Sequence, residues 1–424
     1  MDDRDAYATL LAPLTPAQFE EEHWERRSLL VQRDHPPDLY RGLLDSCDLP
    51  ALFALLEQAG DEPQVFRDGA RREPRQPLID FLHGNSLVIN RIDMRWPPIG
   101  RLCASLRRHL HHVFAVMYLT PRAAQAVRVH SDDQDVFILQ LAGSKEWCVY
   151  DAPQPLPYTD EQLGKRLPYD RERLGPPSLT AVLRPGSLLY VPRGVLHEAR
   201  TSNDGGSLHI TLTVQTSDLT WSGFVLDAIL AVHRQHMQFR HALPLKLAAE
   251  LTSGRGDSEA DHVDGVPSGD GGQNDESEAR AELRRQWGSL VTLTAEQSGN
   301  QFEASFTALR AKLQRHNDAQ DEAVRRATMA LEALPTRAIP PRLRLVDGVK
   351  VEMSAGPDGS WRFSHGDKWM RLSLPPHLTQ AMTLISCTGR EASDWEALPG
   401  ADEIERVALV GCLHQLGILQ PVPG

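Results

Sequence analysis

The stretch from Ala126 to Tyr150, AVRVHSDDQDVFILQLAGSKEWCVY, constrains this chain more than any other, because it sets two metal-ligating side chains and a lysine within one run of strands. Val127, Val129, Phe137, Leu139 and Leu141 recur at period two, and Gly143 marks a turn between Leu141 and Lys145. The segment therefore reads as strand, short loop, strand, turn, strand. Alternate residues of an extended strand share a face, which points His130 and Asp132 together into one interior.

A His-x-Asp triplet is weak evidence alone, and the chain carries four: His130-Ser131-Asp132, His262-Val263-Asp264, His316-Asn317-Asp318 and His365-Gly366-Asp367. The second lies in a Gly/Ser/Asp-rich tract, the third in a helical pattern where residues i and i+2 diverge, and the fourth between two short strands where a turn is expected. Only the first has strands on both sides and a suitable third ligand downstream. That ligand is His197, in LRPGSLLYVPRGVLHEAR, where Pro185-Gly186 is a turn, Ser187 to Val191 a strand, Pro192 to Gly194 another turn, and His197 opens the next strand. Two imidazoles and one carboxylate on strands, with half the coordination sphere left open, form the facial arrangement that suits non-haem Fe(II) oxygenases.

At these residues the sequence resembles the JmjC-type cupin oxygenases, and among them the ribosomal oxygenases that hydroxylate ribosomal-protein side chains. The shared positions are His130-x-Asp132, then Asp135 to Leu141 with Gly143, Lys145 and Trp147, then Pro185-Gly186-x-Leu188-Leu189-Tyr190-x-Pro192-Arg193-Gly194-x-x-His197, and finally Ser207 to Leu212. The resemblance implies that His130, Asp132 and His197 bind Fe(II). It further implies that Lys145 pairs the distal carboxylate of 2-oxoglutarate, with Tyr118 and Thr211 lining the cosubstrate pocket as hydroxyl hydrogen-bonding groups. The cosubstrate would chelate iron through its C1 carboxylate and keto oxygen and leave one position for O2. Charge reasoning supports Lys145 independently, since a dicarboxylate in an apolar barrel leaves a full negative charge at its far end, which is costly unless paired. Of 45 lysine and arginine residues only six are lysines, so a lysine inside such a strand is not incidental.

The implied fold is of mixed α and β class: a double-stranded β-helix, the cupin or JmjC jelly-roll barrel, with a helical, dimerising region and a C-terminal winged-helix-like domain. The sequence divides accordingly at 1–218, 219–335 and 336–424. Thr15, Pro16 and Gln18 mark a helix start in the N-terminal segment, and the phrase FEEEHWERRSLLVQR resembles the opening of the same family, where it packs beside the barrel. Pro97 to His112 reads as an amphipathic helix whose close, RRHLHH, puts positive groups at a helix C-terminus rather than building a metal cluster. About 28 residues of Pro, Asp, Arg and Tyr between the strands Lys145 to Tyr150 and Leu179 to Leu183 form a loop expected to shape the pocket mouth. From Trp221 the period turns helical, Ser253 to Glu276 is a flexible acidic insertion by composition, and short strands and two helices follow Pro341.

The implied activity is hydroxylation of a side chain in a protein or peptide, a ribosomal-protein histidine or arginine first, by an Fe(II)- and 2-oxoglutarate-dependent dioxygenase. Two departures bear on the target: Ser131 stands where the family commonly has Tyr, and Val116 where many relatives have Asn. A peptide natural-product tailoring hydroxylase, an N-methyl demethylase of the same chemistry, and a non-enzymatic barrel and winged-helix binding or scaffold protein are the competing expectations. The net charge of −12 argues against a polyanion as main ligand, and the helix from Glu403, which opens Glu-Ile-Glu-Arg-Val, has no basic face to lay on DNA. Five widely spaced cysteines with no Cys-x-x-Cys pair indicate neither a disulfide framework nor a zinc site. With no apolar run of membrane-spanning length and an acidic start, MDDRDAYATLLAPL, the expected place is the cytoplasm.

Overall fold

The structure, a computed structural model, describes residues 5–242, 278–298, 302–334, 342–353, 360–365, 368–388 and 393–422. The acidic tract 253–276, the triplet at His262 and part of that at His365 lie outside the described residues. Two compact units emerge: Met1–Asp218 with Leu313–Gly424, and Leu219–Lys312.

Eleven strands organise the first unit: β1 (Leu29–Val31), β2 (Gln64–Arg67), β3 (Ala70–Arg72), β4 (Ser86–Asn90), β5 (Val113–Thr120), β6 (Asp135–Gly143), β7 (Lys145–Val149), β8 (Leu179–Leu183), β9 (Leu188–Val191), β10 (His197–Arg200) and β11 (Ser207–Val214). Eight of them form one antiparallel sheet in the order β1-β9-β6-β11-β5-β4-β2-β3, and β10-β7-β8 form a second. Val136, Ile138, Leu189 and Val191 of the large sheet pack in one cluster with Trp147, Val149 and Leu183 of the small one, so the two sheets face each other. This is a mixed α/β fold with a large antiparallel sheet.

Strand β6 is buried on both faces. The period-two set Phe137 and Leu139 points away from the small sheet, into the large core that includes the helices Leu49–Ala59 and Pro97–Leu110, while Val136 and Ile138 point between the sheets. A strand sandwiched this way carries apolar residues on both faces, here Val136 to Leu139, which the single alternation did not convey. The turn from β6 to β7 requires its glycine: Gly143 has φ +62°, and a Cβ there would meet the Gly206 carbonyl oxygen at 2.0 Å.

The N-terminal segment packs beside the sheets, as expected. Phe19 meets the ring of Tyr190 edge to face and Trp24 stacks on it, while the Tyr190 hydroxyl donates to Asp135 at 2.5 Å and accepts from the Glu25 backbone. The histidines closing Pro97–Leu110 serve packing: His112 bonds Asn317 at 2.8 Å, and His109 stacks on Tyr7 beside Asp5. The helix Glu403–Gln415 is buried along most of its length against this same unit. Its cap Asp402 accepts from Gly206, and Glu405 pairs with Arg122 and His377. Two three-stranded sheets accompany it, Arg342–Leu345 between Ser393–Asp394 and Leu419–Pro421, and Ser360–His365 between Lys350–Met353 and Lys368–Ser373.

The second unit comprises Trp221–Gln235, Glu278–Ser298 and the start of Phe302–Ala333. Ala228 and Val232 are buried, and Phe224 meets Phe302 edge to face. Trp221, Val225, Leu226 and Leu230 stay in solvent, Trp221 at 84%.

Candidate metal centre

His130, Asp132 and His197 come together between the two sheets, their ligand atoms all within 4.8 Å of one another, and no other such group occurs among the described residues. His197 opens β10, and its backbone exchanges both hydrogen bonds with His130 in an isolated antiparallel bridge. His130 is thus placed by one bridge rather than by the continuous strand expected from Val127 and Val129, which lie outside any strand. The reason is local. Beyond His130, Ser131 bonds Leu163 and the Asp132 carbonyl accepts from Gly194, so the segment is held by loops on both sides.

Both imidazoles are set for coordination. His130 Nδ1 lies 2.8 Å from the Arg128 carbonyl and His197 Nδ1 3.0 Å from that of Val195. A carbonyl only accepts, so Nδ1 carries the proton and Nε2 keeps its lone pair, aimed at Asp132 from 3.9 Å and 3.5 Å. Burial, with the His197 and Lys165 charges, pushes the His130 imidazole down to about 3, so it is neutral when a metal arrives. Burial alone would raise the Asp132 carboxyl, but the Lys165 ammonium 2.5 Å away and the two imidazoles hold it well below the usual carboxylate range. Two imidazole nitrogens and one oxygen anion converging from three backbone positions fit a divalent ion with open coordination sites.

The pocket lined by these three residues also holds the other residues selected from the sequence, Lys145, Tyr118 and Thr211. Lys145 is 3% exposed and donates to Thr120 Oγ1 at 2.9 Å, with the Tyr118 ring 5.9 Å from its nitrogen. Burial pushes its ammonium down to about 7, and no carboxylate offsets that shift. His209 was within the quoted motif but carried no assigned role. It stacks on Tyr118 at 4.8 Å, and its Nδ1 is buried without a protein partner. Burial, then Lys145, drives its imidazole well below the usual range. A buried cation with no anion beside it and a ring nitrogen with no partner, both among the described residues and in one pocket, fit a carboxylate supplied by a ligand.

Reasoning from sequence also passed over Lys165, although the scarcity argument made for Lys145 applies to it equally. His209 had a signal too, because it stands two residues before Thr211 and so shares its face. The two family departures find local partners: Val116 packs with Val88 and Ala126, and the Ser131 hydroxyl accepts from the Leu163 amide at 3.0 Å.

The JmjC domain matches residues 91–220. A bifunctional lysine-specific demethylase and histidyl-hydroxylase NO66 of Dictyostelium discoideum is 40% identical over 154 residues, covering 34% of this chain and 29% of its own length. Human ribosomal oxygenase 1 is 34% identical over 254 residues, covering 55% of this chain and 38% of its own. The chain thus spans well under half the length of these curated relatives. The solved structure of YcfD, a ribosomal oxygenase from Escherichia coli, in complex with cobalt and 2-oxoglutarate aligns over 96% of this chain and 98% of its own, at 15% identity and a TM-score of 0.39.

Proposed function

We propose that this protein, whose residues 91–220 are a JmjC domain, is an Fe(II)- and 2-oxoglutarate-dependent oxygenase that hydroxylates a side chain of a protein or peptide. The observation that carries the reading is the convergence of His130 Nε2, Asp132 and His197 Nε2 beside the anion-less ammonium of Lys145. Iron, 2-oxoglutarate and O2 together supply oxidative decarboxylation to succinate and insertion of oxygen into a substrate C–H bond.

The chain's own residues bind, orient and enclose. His130, Asp132 and His197 would hold the ion, their orientation preset by the Arg128 and Val195 carbonyls and by Lys165. Lys145 would pair the distal carboxylate, with Thr120 keeping the ammonium in place and Tyr118, Thr211 and His209 offering polar atoms along the wall. Val136, Ile138 and Trp147 keep water from that wall.

A ribosomal-protein histidine or arginine is the favoured target, because the relatives bear the names ribosomal oxygenase and histidyl-hydroxylase. N-methyl demethylation is the second reading, favoured by the demethylase named in one relative. The barrel is proposed as a double-stranded β-helix over 1–218, with 219–335 a dimerising helical region and 336–424 a winged-helix-like scaffold in a cytoplasmic protein. Exposed Trp221, Val225, Leu226 and Leu230 support a homodimer. The burial of Glu405 against Arg122 supports scaffolding over nucleic-acid binding. No helix among the described residues is long and apolar enough to cross a membrane.

Succinate release in the presence of Fe(II), 2-oxoglutarate and ribosomal-protein peptides tests the activity, and peptide masses separate its forms. A gain of one oxygen marks hydroxylation, whereas formaldehyde release marks demethylation. No succinate above a His130→Ala control refutes the enzyme.

A further inference from the structure

We infer that Lys165 ties retention of the metal to arrival of the dicarboxylate, an inference that rests on the metal-centre reading above. Lys165 is not a wandering surface lysine. Ser131 N donates to the Leu163 carbonyl and Leu163 N to Ser131 Oγ, both at 3.0 Å, while Thr159 Oγ1 donates to Asp133 at 2.6 Å. Gly164, at φ +77°, lies so close that a Cβ would meet the Val129 carbonyl oxygen at 2.2 Å and the His130 Cα at 2.8 Å. These contacts fasten the loop 159–165 along 129–133 and deliver the ammonium to Asp132 Oδ1 at 2.5 Å.

The consequence follows from the charges that the site must hold. Before any ligand binds, Asp132 and Lys165 neutralise each other. A divalent ion then brings two positive charges, the Lys145 ammonium in the same pocket adds a third, and a dicarboxylate cancels two of the three. Lys165 acts on the metal in two opposing ways. Holding one carboxylate oxygen orients the ligand, which favours binding. Its charge repels the ion and also satisfies Asp132 beforehand, which disfavours it. Repulsion acts at full ionic charge on both partners, whereas orientation is already secured for both imidazoles and shared by the backbone bond from Gly194 to Asp132. Repulsion therefore dominates for the metal alone, softened because Lys165 keeps 40% of its side chain in solvent. Once the dicarboxylate is in, attraction to the same ammonium returns what was lost. By reciprocity, metal and cosubstrate each tighten the other.

Mn(II) binding to the full chain, followed through the paramagnetic resonance of the free ion with and without saturating 2-oxoglutarate, tests this. In Lys165→Met, Mn(II) alone should bind roughly tenfold tighter, and the gain conferred by 2-oxoglutarate should shrink by about the same factor. Lys165→Arg should keep the unsubstituted behaviour, and Thr159→Val, which loosens the loop but leaves the ammonium, should shift both affinities the same way by less. Unchanged or weaker Mn(II) binding by a folded Lys165→Met overturns the inference. Failure of the unsubstituted protein to bind Mn(II), or binding indifferent to His130→Ala, overturns the metal-centre reading and this inference with it.

Discussion

Replacing Lys145 by Met should all but remove 2-oxoglutarate binding while leaving the metal site intact. The ammonium is buried, bonded only to the neutral Thr120 hydroxyl at 2.9 Å, and pushed down to about 7 from 10.5. That displacement corresponds to about 5 kcal/mol at 1.36 kcal/mol per pKa unit, an upper bound on what an anionic partner can return. Breaking a buried ion pair costs about 3–5 kcal/mol, so affinity should fall at least ~100-fold. The sign of the pH dependence follows from the depressed value. Between about 7 and 10.5 the unfolded chain holds this proton and the folded protein does not, so stability from this group rises with pH across that window. Ligand binding through an ammonium then takes up a proton above 7. Affinity should be flat below pH 7 and fall by up to about tenfold per unit above it. Calorimetric titration of the Mn(II)-loaded protein with 2-oxoglutarate from pH 6 to 9 reads both effects, since Mn(II) holds the cosubstrate without turnover. A Lys145→Met protein that binds within threefold of the unsubstituted one, or that keeps the same pH slope, refutes the assigned pairing.

His130→Ala and Asp132→Ala should each abolish succinate formation and weaken Mn(II) binding by at least about a hundredfold with the circular dichroism unchanged, since each removes one of three ligands. Gly143→Ala should lower stability by about 1–3 kcal/mol, through strain at φ +62° and the contact with the Gly206 carbonyl, read as a lower urea midpoint. Trp221→Glu combined with Leu230→Glu should convert a dimer to a monomer by light scattering and leave the melting of the sheet-bearing unit in place; a monomeric unsubstituted protein would sink the dimer proposal.

The three candidate ligand residues and the lysine that shares their pocket were legible as a group because their chemistry is rare in this chain and their neighbours alternate. His130 and Asp132 are two apart, His197 follows two turns, and Lys145 is one of only six lysines. Strand identities in β5 to β11 were legible for the same reason, since β-branched and aromatic runs between Gly and Pro leave few alternatives. The two-sided burial of β6 was not, because alternation records one contacting layer and cannot show that a second lies against the other face.

The sequence by itself determined which side chains are chemically able to hold a divalent ion and a dicarboxylate, because donor type is a property of each residue. Only the tertiary structure decided what presses on them: the carbonyls of Arg128 and Val195 that set the imidazole tautomers, the loop that lays Lys165 on Asp132, and the orphaned His209 beside Lys145. Those depend on contacts between segments distant along the chain, and on the exclusion of water that comes with them. The strength of a charge or a hydrogen bond is set by that enclosure rather than by residue type.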